Sequence, residues 1–219
     1  RGVDRPALAL LVPGVSGPTL LIDVGANANC QPHNLVQFAI MGRIFMETIM
    51  GVRDPRVGLM SIGEEKSKGN ELVKEAFDRL QASPLRFIGN VEGRDIFLGK
   101  ADVIVCDGFV GNVVLKTSEA VAEAISSLLR ENIGENLLRK MGYLLMRPAF
   151  RALKRKVDYA EYGGAPLLGI NGISIISHGR SSARAIKNAI RVAVDFARTD
   201  VNRHIHDDIV QNMELVKEK

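Results

Sequence analysis

Length, composition and charge limit the classes of protein to which this chain can belong. With 219 residues, of which 46% are hydrophobic, it can bury a substantial core in one large domain or two small ones. Aromatic residues make up only 5%, Trp is absent, and the net charge is +4, so no nucleic-acid partner is expected. Cys30 and Cys106 form neither a disulfide framework nor a CxxC metal pair, which fits the reducing cytoplasm.

Apolar, β-branched runs alternate with helical patterns along the chain. Strands are predicted over 7–12, 19–24, 56–62, 86–89 and 101–105, with one or two more within 167–176. Helices are predicted after Pro32, over 72–80, from near Thr117 and from Ala183, and the polar tail 200–219 is also predicted to be helical. This alternation indicates an α/β fold with a largely parallel sheet.

The segment 101–117 carries the strongest local indication of a site. Its apolar start predicts a strand that is covered on both faces, and Asp107-Gly108 with Gly111-Asn112 predicts a polar loop before the helix. Unpaired backbone N–H groups at such a junction can hold an anion. An ordinary strand-to-helix turn, in which Asp107 supports its own loop, explains the same residues, so the segment alone leaves both interpretations open.

Five predicted strands end in polar loops. Because the carboxyl ends of parallel strands share one edge of a sheet, we expect these loops to converge on one crevice. By itself, the charged loop 63–70 is also typical of a solvated turn. The polar residues of the five loops are Asn27 and Asn29; Glu64, Glu65 and Lys68; Asn90 and Glu92; Asp107 and Asn112; and His178 and Arg180.

Several chemistries are disfavoured by the motifs that the sequence lacks. There is no GxGxxG after a strand, no GxxxxGK[ST] and no GxSxG, so neither a nucleotide cofactor nor a serine-hydrolase elbow is indicated. His204 and His206 would lie on different faces of a helix, and no metal site is expected. His33, beside Pro32, is interpreted as a helix-start residue rather than a catalyst.

The segment 134–157 has a different character, because its apolar positions are interleaved only with basic residues. Pro148 is expected to kink or divide it, which gives a helical hairpin or a bent pair. We expect the stem to serve a dimer interface and the tip a membrane surface. The alternative is that all of its apolar residues are buried between subunits. The residues predicted to contact the membrane are Leu144, Leu145, Met146 and Arg147.

Six short motifs, taken together and in order, resemble the bacterial phosphate acyltransferases of phospholipid synthesis. They are Asp23-Val24-Gly25-Ala26-Asn27; Ile62-Gly63-Glu64-Glu65 with Lys68-Gly69; Phe87-Ile88-Gly89-Asn90-Val91-Glu92; Asp107-Gly108-Phe109 with Gly111-Asn112 and Leu115-Lys116-Thr117; Tyr162-Gly163-Gly164-Ala165; and Ser177-His178-Gly179.

The resemblance implies a three-layer α/β/α fold akin to the phosphotransacetylases and isocitrate-dehydrogenase-like proteins. It also implies a homodimer that transfers an acyl chain from acyl-acyl-carrier protein to inorganic phosphate without a cofactor. Family members begin with a further amino-terminal segment. The chain is therefore expected to be a truncated single domain, 1–219, with a hairpin insertion at about 118–160, in the cytoplasm or at the inner face of the plasma membrane.

The resemblance also implies a mechanism, in which a phosphate oxygen attacks the thioester carbonyl without an enzyme nucleophile. Lys68 is expected to contact phosphate or the oxyanion, and Asn112 to donate to the reacting carbonyl; His178 completes the predicted catalytic set. The alternative for Lys68 is that it only pairs with Glu64 or Glu65. The alternatives for the whole protein are an inactive module that keeps dimer and membrane binding, and a dehydrogenase. The predicted substrate- or phosphate-binding residues are Asn27, Glu64, Glu65, Asn90, Asp107, Gly108, Gly111 and Lys116.

Overall fold

The computed structural model describes residues 2–134, 136–157, 163–177, 179 and 181–212, without the side chains of 153–157. The strands within these residues are β1 (Ala7–Pro13), β2 (Pro18–Ile22), β3 (Val57–Met60), β4 (Phe87–Val91), β5 (Val103–Val105), β6 (Ala165–Leu168) and β7 (Ile175–Ile176). The helices are α1 (Pro32–Thr48), α2 (Glu71–Gln81), α3 (Asp95–Leu98), α4 (Gly108–Gly134), α5 (Leu137–Val157), α6 (Ala183–Thr199) and α7 (Val201–Gln211). The predicted alternation of strands and helices is confirmed.

The described strands form one mixed sheet in the order β4-β3-β5-β2-β1-β6-β7. β4, β3, β5 and β2 pair in parallel, whereas β1 is antiparallel to both β2 and β6, and β7 is antiparallel to β6. A tight turn joins β1 to β2, with the Gly14 N–H donating to the Gly17 carbonyl at 3.1 Å, and so short a connection permits only antiparallel pairing. The sheet is therefore largely parallel, as predicted, with β1 and β7 reversed.

Helices cover both faces of this sheet. Leu20 and Ile22 of β2 face a core shared with α1, α2 and α7, whereas Leu21 faces the opposite side, where Ile96 of α3 packs. In the described part of the tail that the sequence predicts as polar, α7 confirms the predicted helix, but this helix is not merely solvated. Val201, Ile205 and Ile209 recur every fourth residue along α7, and all are buried in the core that α7 shares with α1.

The long helices α4 and α5 occupy the segment for which the sequence predicts a helical hairpin, with two differences from the prediction. α4 begins at Gly108 rather than near Thr117, so the predicted polar loop is the first turn of the helix. Pro148 lies inside α5, and the break between the two helices lies between Gly134 and Leu137 instead. The predicted membrane contact, 144–147, consequently lies about 10 Å along α5 from the start of that helix.

Most of the apolar side chains on the hairpin are exposed. Leu137 and Leu138, next to the turn, are 75% and 80% exposed, and Leu145 is 84% exposed. A contiguous exposed apolar surface of this kind marks a binding surface more often than a free one. In the part of the chain that the structure describes, no helix combines the length and apolarity needed to cross a membrane.

At the amino-terminal edge of β5, Arg56 and Asp102 form a bidentate ion pair, with Nη2 to Oδ1 at 2.9 Å and Nε to Oδ2 at 3.0 Å. Burial acts to raise the pKa of Asp102, but the hydrogen bonds and charge of Arg56 hold that pKa below its usual value. The folded state therefore gains stability from the ionised carboxylate at neutral pH. This gain is lost as the pH falls below the ordinary carboxyl pKa of about 4.

We predict that Asp102→Asn lowers the free energy of unfolding by about 1–3 kcal/mol at pH 7 and by much less once the pH is below the lowered pKa of Asp102. Urea unfolding at pH 7 and below that pKa measures the difference. Asp54→Asn is the control, because the Arg86–Asp54 pair is longer, 3.6 Å, and mostly exposed. An Asp102→Asn deficit that stays constant with pH would contradict the assigned role of the ion pair.

Candidate functional site

The carboxyl ends of β2, β3, β4 and β5 lie at one edge of the sheet, because these four strands run parallel. β5 stands between β3 and β2. The connections after β2 and β3 lead to α1 and α2 on one face, whereas β5 leads to α4, whose first turns pack on the other face. When the connections from neighbouring strands lead to opposite faces of the sheet, a crevice opens between them at the carboxyl edge, where ligands bind in open α/β sheets.

The loop after β2 is organised by Asp23, whose side chain is fully buried. Its Oδ1 accepts hydrogen bonds from the N–H groups of Leu8 (3.0 Å), Gly25 (3.0 Å) and Ala26 (2.9 Å). Its Oδ2 accepts from the backbone N–H of Asn27 at 2.7 Å and from Asn27 Nδ2 at 2.9 Å. The side chain of Asn27, expected to form a wall of the crevice, is thus held by Asp23 and by the Pro6 carbonyl at 2.7 Å.

The first turn of α4 lies directly against this loop. Gly108 N–H donates to the Asn27 carbonyl at 2.7 Å. A Cβ on Gly111 would lie 1.9 Å from the Asp23 carbonyl oxygen, so only glycine permits this approach. A Cβ on Gly25 would lie 3.6–3.7 Å from the side chain of Asn112, which places Asn112 beside the same loop. The structure therefore brings Asn27 and Asn112 together, as the sequence predicts.

Asp107 supports the local structure at the start of α4, which is one of the two interpretations that the sequence leaves open. Its Oδ1 accepts from the Val110 N–H at 2.9 Å, so it caps α4 rather than fixing a long loop. With Gly108 N–H bonded to Asn27, two of the first amides of α4 already have partners. For these two amides, the ordinary strand-to-helix turn is the interpretation that fits. Gly108 and Gly111 are buried, so they shape the crevice and do not line it.

The loop after β3 lies over the end of β4. Asn90 is buried, and its Nδ2 donates to the Glu65 carbonyl at 2.9 Å, which fixes the orientation of its side-chain amide. Asn90 Oδ1 and Ser61 Oγ are buried and have no hydrogen-bond partner among the described residues, which is rare and costs stability. These two atoms mark a polar floor beneath the loop that carries Glu64, Glu65 and Lys68.

Lys68 lies exposed on this loop. Glu64 pairs with Lys100 at 2.9 Å and with Arg94 at 3.5 Å, not with Lys68. Among the ion pairs of the described residues, Lys68 takes part in none, so the alternative that it serves only as the partner of Glu64 or Glu65 is not supported. Its ammonium group is available to an anion at this edge.

Other predicted residues lie elsewhere. Lys116 is one turn further along α4 and pairs with Glu119 at 2.9 Å, on an exposed face. His178 and Arg180, at the end of the last predicted strand, lie outside the described residues.

His33 is in the first turn of α1, and its Nε2 lies 3.2 Å from Asp4 Oδ2. Hydrogen bonds from Asn34 and His33 hold the pKa of Asp4 below its usual value.

Neither cysteine is suited to act as a nucleophile. Burial raises the pKa of the Cys30 thiol to about 11. Burial also raises the pKa of Cys106, which lies at the end of β5 and donates from Sγ to the Asp23 carbonyl at 3.4 Å. Both thiols are therefore protonated near pH 7, whereas the reactive form of cysteine is the thiolate.

Sequence reasoning missed Asp23 as a functional residue. The motif Asp23-Val24-Gly25-Ala26-Asn27 indicates Asn27 as a site residue but does not single out Asp23. The available signal was an Asp directly after an apolar strand and before Gly-Ala-Asn, since a carboxylate at that place can accept the N–H groups of a tight turn. Its bond to Leu8 is non-local and carries no signal in the sequence.

Comparison with known proteins places the chain in a family. The family model described as fatty acid synthesis protein matches residues 1–204. The chain belongs to this family. Within it, the chain is 55% identical over 215 residues to the phosphate acyltransferase of Geotalea daltonii, and the match covers 98% of this chain and 62% of that relative. The resemblance of the six motifs is thereby confirmed.

Two further curated family relatives show the same pattern. The phosphate acyltransferase of Heliobacterium modesticaldum is 57% identical over 192 residues, 88% of this chain and 57% of the relative. That of Geobacter sulfurreducens is 52% identical over 225 residues, 100% of this chain and 65% of the relative. The chain thus spans about three-fifths of the length of the curated relatives that it matches.

The solved structures that the chain is similar to are more distant. The EutD phosphotransacetylase from Staphylococcus aureus matches with a TM-score of 0.44 and 16% identity, over 56% of this chain and 44% of that one. A phosphotransacetylase from Streptococcus pyogenes matches with a TM-score of 0.43 and 18% identity, over 56% and 43%.

Proposed function

We propose that this chain carries the reaction edge of a phosphate acyltransferase, by which we mean the carboxyl edge of the sheet where β2, β3, β4 and β5 end. Such an enzyme converts acyl-acyl-carrier protein and inorganic phosphate to acyl phosphate and free carrier protein. The observation that carries the proposal is a family match over residues 1–204, which includes every polar loop at the carboxyl edge of the sheet. Curated relatives at 52–57% identity are named phosphate acyltransferase. The product places the protein in phospholipid synthesis.

The proposed chemistry is direct attack of a phosphate oxygen on the thioester carbonyl carbon. The new C–O bond forms as the C–S bond breaks, and the carrier thiolate leaves and takes up a proton. Because Cys30 and Cys106 are protonated near pH 7, a covalent acyl-enzyme through either thiol is disfavoured. The protein then has mainly to hold phosphate, orient the carbonyl and stabilise the developing oxyanion.

We assign these tasks to the residues that the edge presents. Lys68, exposed and without an ion pair among the described residues, offers its charge to phosphate or the oxyanion. Asn112, beside the loop after β2, offers an amide donor to the carbonyl oxygen. His178 remains the third proposed catalytic residue. Asn27, Glu64, Glu65 and Asn90 line or support the phosphate region, and no cofactor takes part.

The experiment that tests this function is hydroxylamine trapping of acyl phosphate formed from acyl-carrier protein and phosphate. It is run on this chain and on a version lengthened to the span of its curated relatives. We expect acyl hydroxamate from the lengthened version at least, with no change when a nicotinamide cofactor is added. A change in the redox state of the added nicotinamide, without trapped acyl hydroxamate, would favour the dehydrogenase alternative instead.

We further propose that the hairpin of α4 and α5 forms a homodimer contact and a reversible membrane contact. Leu144, Leu145 and Met146 are 62%, 84% and 56% exposed, and Arg147 is exposed beside them. Each basic residue near an anionic leaflet contributes about 1 kcal/mol, and each inserted apolar side chain a comparable amount, so the contact is weak and depends on the lipid.

We predict that Leu144→Glu with Leu145→Glu abolishes sedimentation with anionic vesicles and leaves the dimer intact. Val15→Glu is the matched control, because Val15 is 81% exposed on the body of the fold. Vesicle sedimentation and analytical ultracentrifugation measure the two properties. If the double variant becomes monomeric, these residues belong to the subunit interface and the membrane assignment is wrong.

A further inference from the structure

We propose that Asp23 is the positioning residue of the reaction edge, and that it acts by fixing the place of Asn112. This inference rests on the proposed function, but its structural part can be tested without activity. The side chain of Asp23 is fully buried, so it cannot touch a substrate. Any effect of Asp23 on the reaction must therefore pass through other residues.

The carboxylate is surrounded only by hydrogen-bond donors. Three N–H groups face Oδ1, at 2.9–3.0 Å, and two groups of Asn27 face Oδ2, at 2.7 and 2.9 Å. Both oxygens are thus used as acceptors, as in an ionised carboxylate. Such charge-assisted hydrogen bonds are stronger than neutral ones, so the loop 23–27 is held rigidly.

The loop 23–27 fixes the position of α4 through two contacts. The Asn27 carbonyl, set by the Asp23 carboxylate, accepts from Gly108 N–H at 2.7 Å. The Asp23 carbonyl oxygen fills the space where a Cβ of Gly111 would stand, 1.9 Å away. The first turn of α4 therefore packs against the backbone of Asp23, whose side chain orders the loop 23–27.

The position of Asn112 depends directly on this contact between α4 and the loop 23–27. It comes immediately after Gly111, and its side chain packs over Gly25, whose N–H is bound by Asp23 Oδ1. A displacement of the loop consequently moves the surface against which the Asn112 amide rests. Donors to a developing oxyanion act only when they are held in place, so a small displacement lowers the turnover rate more than substrate binding.

Asp23→Asn is the variant that separates these effects. It keeps the size of the side chain but replaces one acceptor oxygen with an NH2 donor, which then faces other donors. In the lengthened enzyme we expect kcat to fall about 10- to 100-fold, with KM for the acyl-carrier protein within about threefold of wild type. Asp102→Asn, in the partly buried Arg56–Asp102 ion pair at the opposite end of β5, is expected to lower stability and leave kcat unchanged.

A double-mutant cycle tests the route through Asn112. If Asp23 acts by positioning Asn112, the variant that combines Asp23→Asn with Asn112→Ala is expected to be about as slow as Asn112→Ala alone. Multiplicative losses would overturn the proposal. Asn27→Ala provides a second variant should Asp23→Asn fail to fold, since it removes only the bonds of one side chain and is expected to lower kcat in the same direction.

Hydrogen exchange on this chain tests the positioning directly, even if no acyl transfer is found. In Asp23→Asn, or in Asn27→Ala in its place, we expect the amides of 25–27 and 108–112 to exchange at least about tenfold faster than in wild type, whereas Asp102→Asn affects the amides around 99–104. Unchanged protection of 108–112 in the variant would overturn the proposal. Absence of acyl phosphate from the wild-type lengthened enzyme would instead contradict the proposed function.

Discussion

Replacing Gly111 with Ala is expected to unfold the reaction edge and to destabilise the whole chain. The added Cβ would lie 1.9 Å from the Asp23 carbonyl oxygen, 2.9 Å from its carbonyl carbon and 3.0 Å from Cys106 Sγ. Two of these atoms belong to the backbone and cannot rotate away, so α4 must shift from the sheet. We expect a loss of roughly 3–5 kcal/mol in the free energy of unfolding, measured by urea denaturation.

Gly142→Ala is the matched control for this prediction. Gly142 lies within α5, and a Cβ there meets nothing within 4 Å, so the same substitution should raise stability by up to about 1 kcal/mol through helix propensity. If Gly111→Ala unfolds at the wild-type urea concentration, α4 is not seated on Asp23 as described.

The second large effect is expected in catalysis. Lys68→Ala and Asn112→Ala, each made in the lengthened enzyme, should reduce acyl-phosphate formation while the circular dichroism spectrum is kept. Losing one charge-assisted or oxyanion contact raises the barrier by roughly 2–4 kcal/mol, which is tens-fold to a thousandfold in rate. Both side chains are exposed at the edge, so neither substitution leaves a cavity in the core.

Neighbouring residues supply the controls. Lys66 lies on the same loop as Lys68 but pairs with Asp78 at 2.7 Å, and Asn132 lies far along α4. Lys66→Ala and Asn132→Ala are expected to retain near-normal turnover. Equal losses in the control variants and in the Lys68 and Asn112 variants would remove the special role assigned to the carboxyl edge.

Much of the fold could be predicted from local patterns. The short apolar runs and the helical spacing located the strands and most of the helices, because burial on a sheet or on a helix face repeats with a fixed period. The convergence of the loops after β2 and β5 followed from parallel strands alone. These features depend on neighbouring residues or on general topology, which a single sequence contains.

The start of α4 could not be predicted in this way. Gly108 and Gly111 have poor helix propensity and resemble a loop, but contacts with the loop 23–27, far away in sequence, override that propensity. The same reason explains why the role of Asp23 could not be predicted, since its bond to Leu8 is non-local. Pro148 likewise indicated a break, but α5 continues through it and the break between the helices falls between Gly134 and Leu137 instead.

The measurement that tests the central claim most directly is the parallel release of carrier thiol and formation of acyl phosphate by the lengthened enzyme, titrated with inorganic phosphate. Direct attack by phosphate predicts that both products rise together, one to one, and that neither appears without phosphate. It also predicts no loss when Cys30 is replaced by Ser. Thiol release that continues without phosphate, or that yields free fatty acid, would contradict the account.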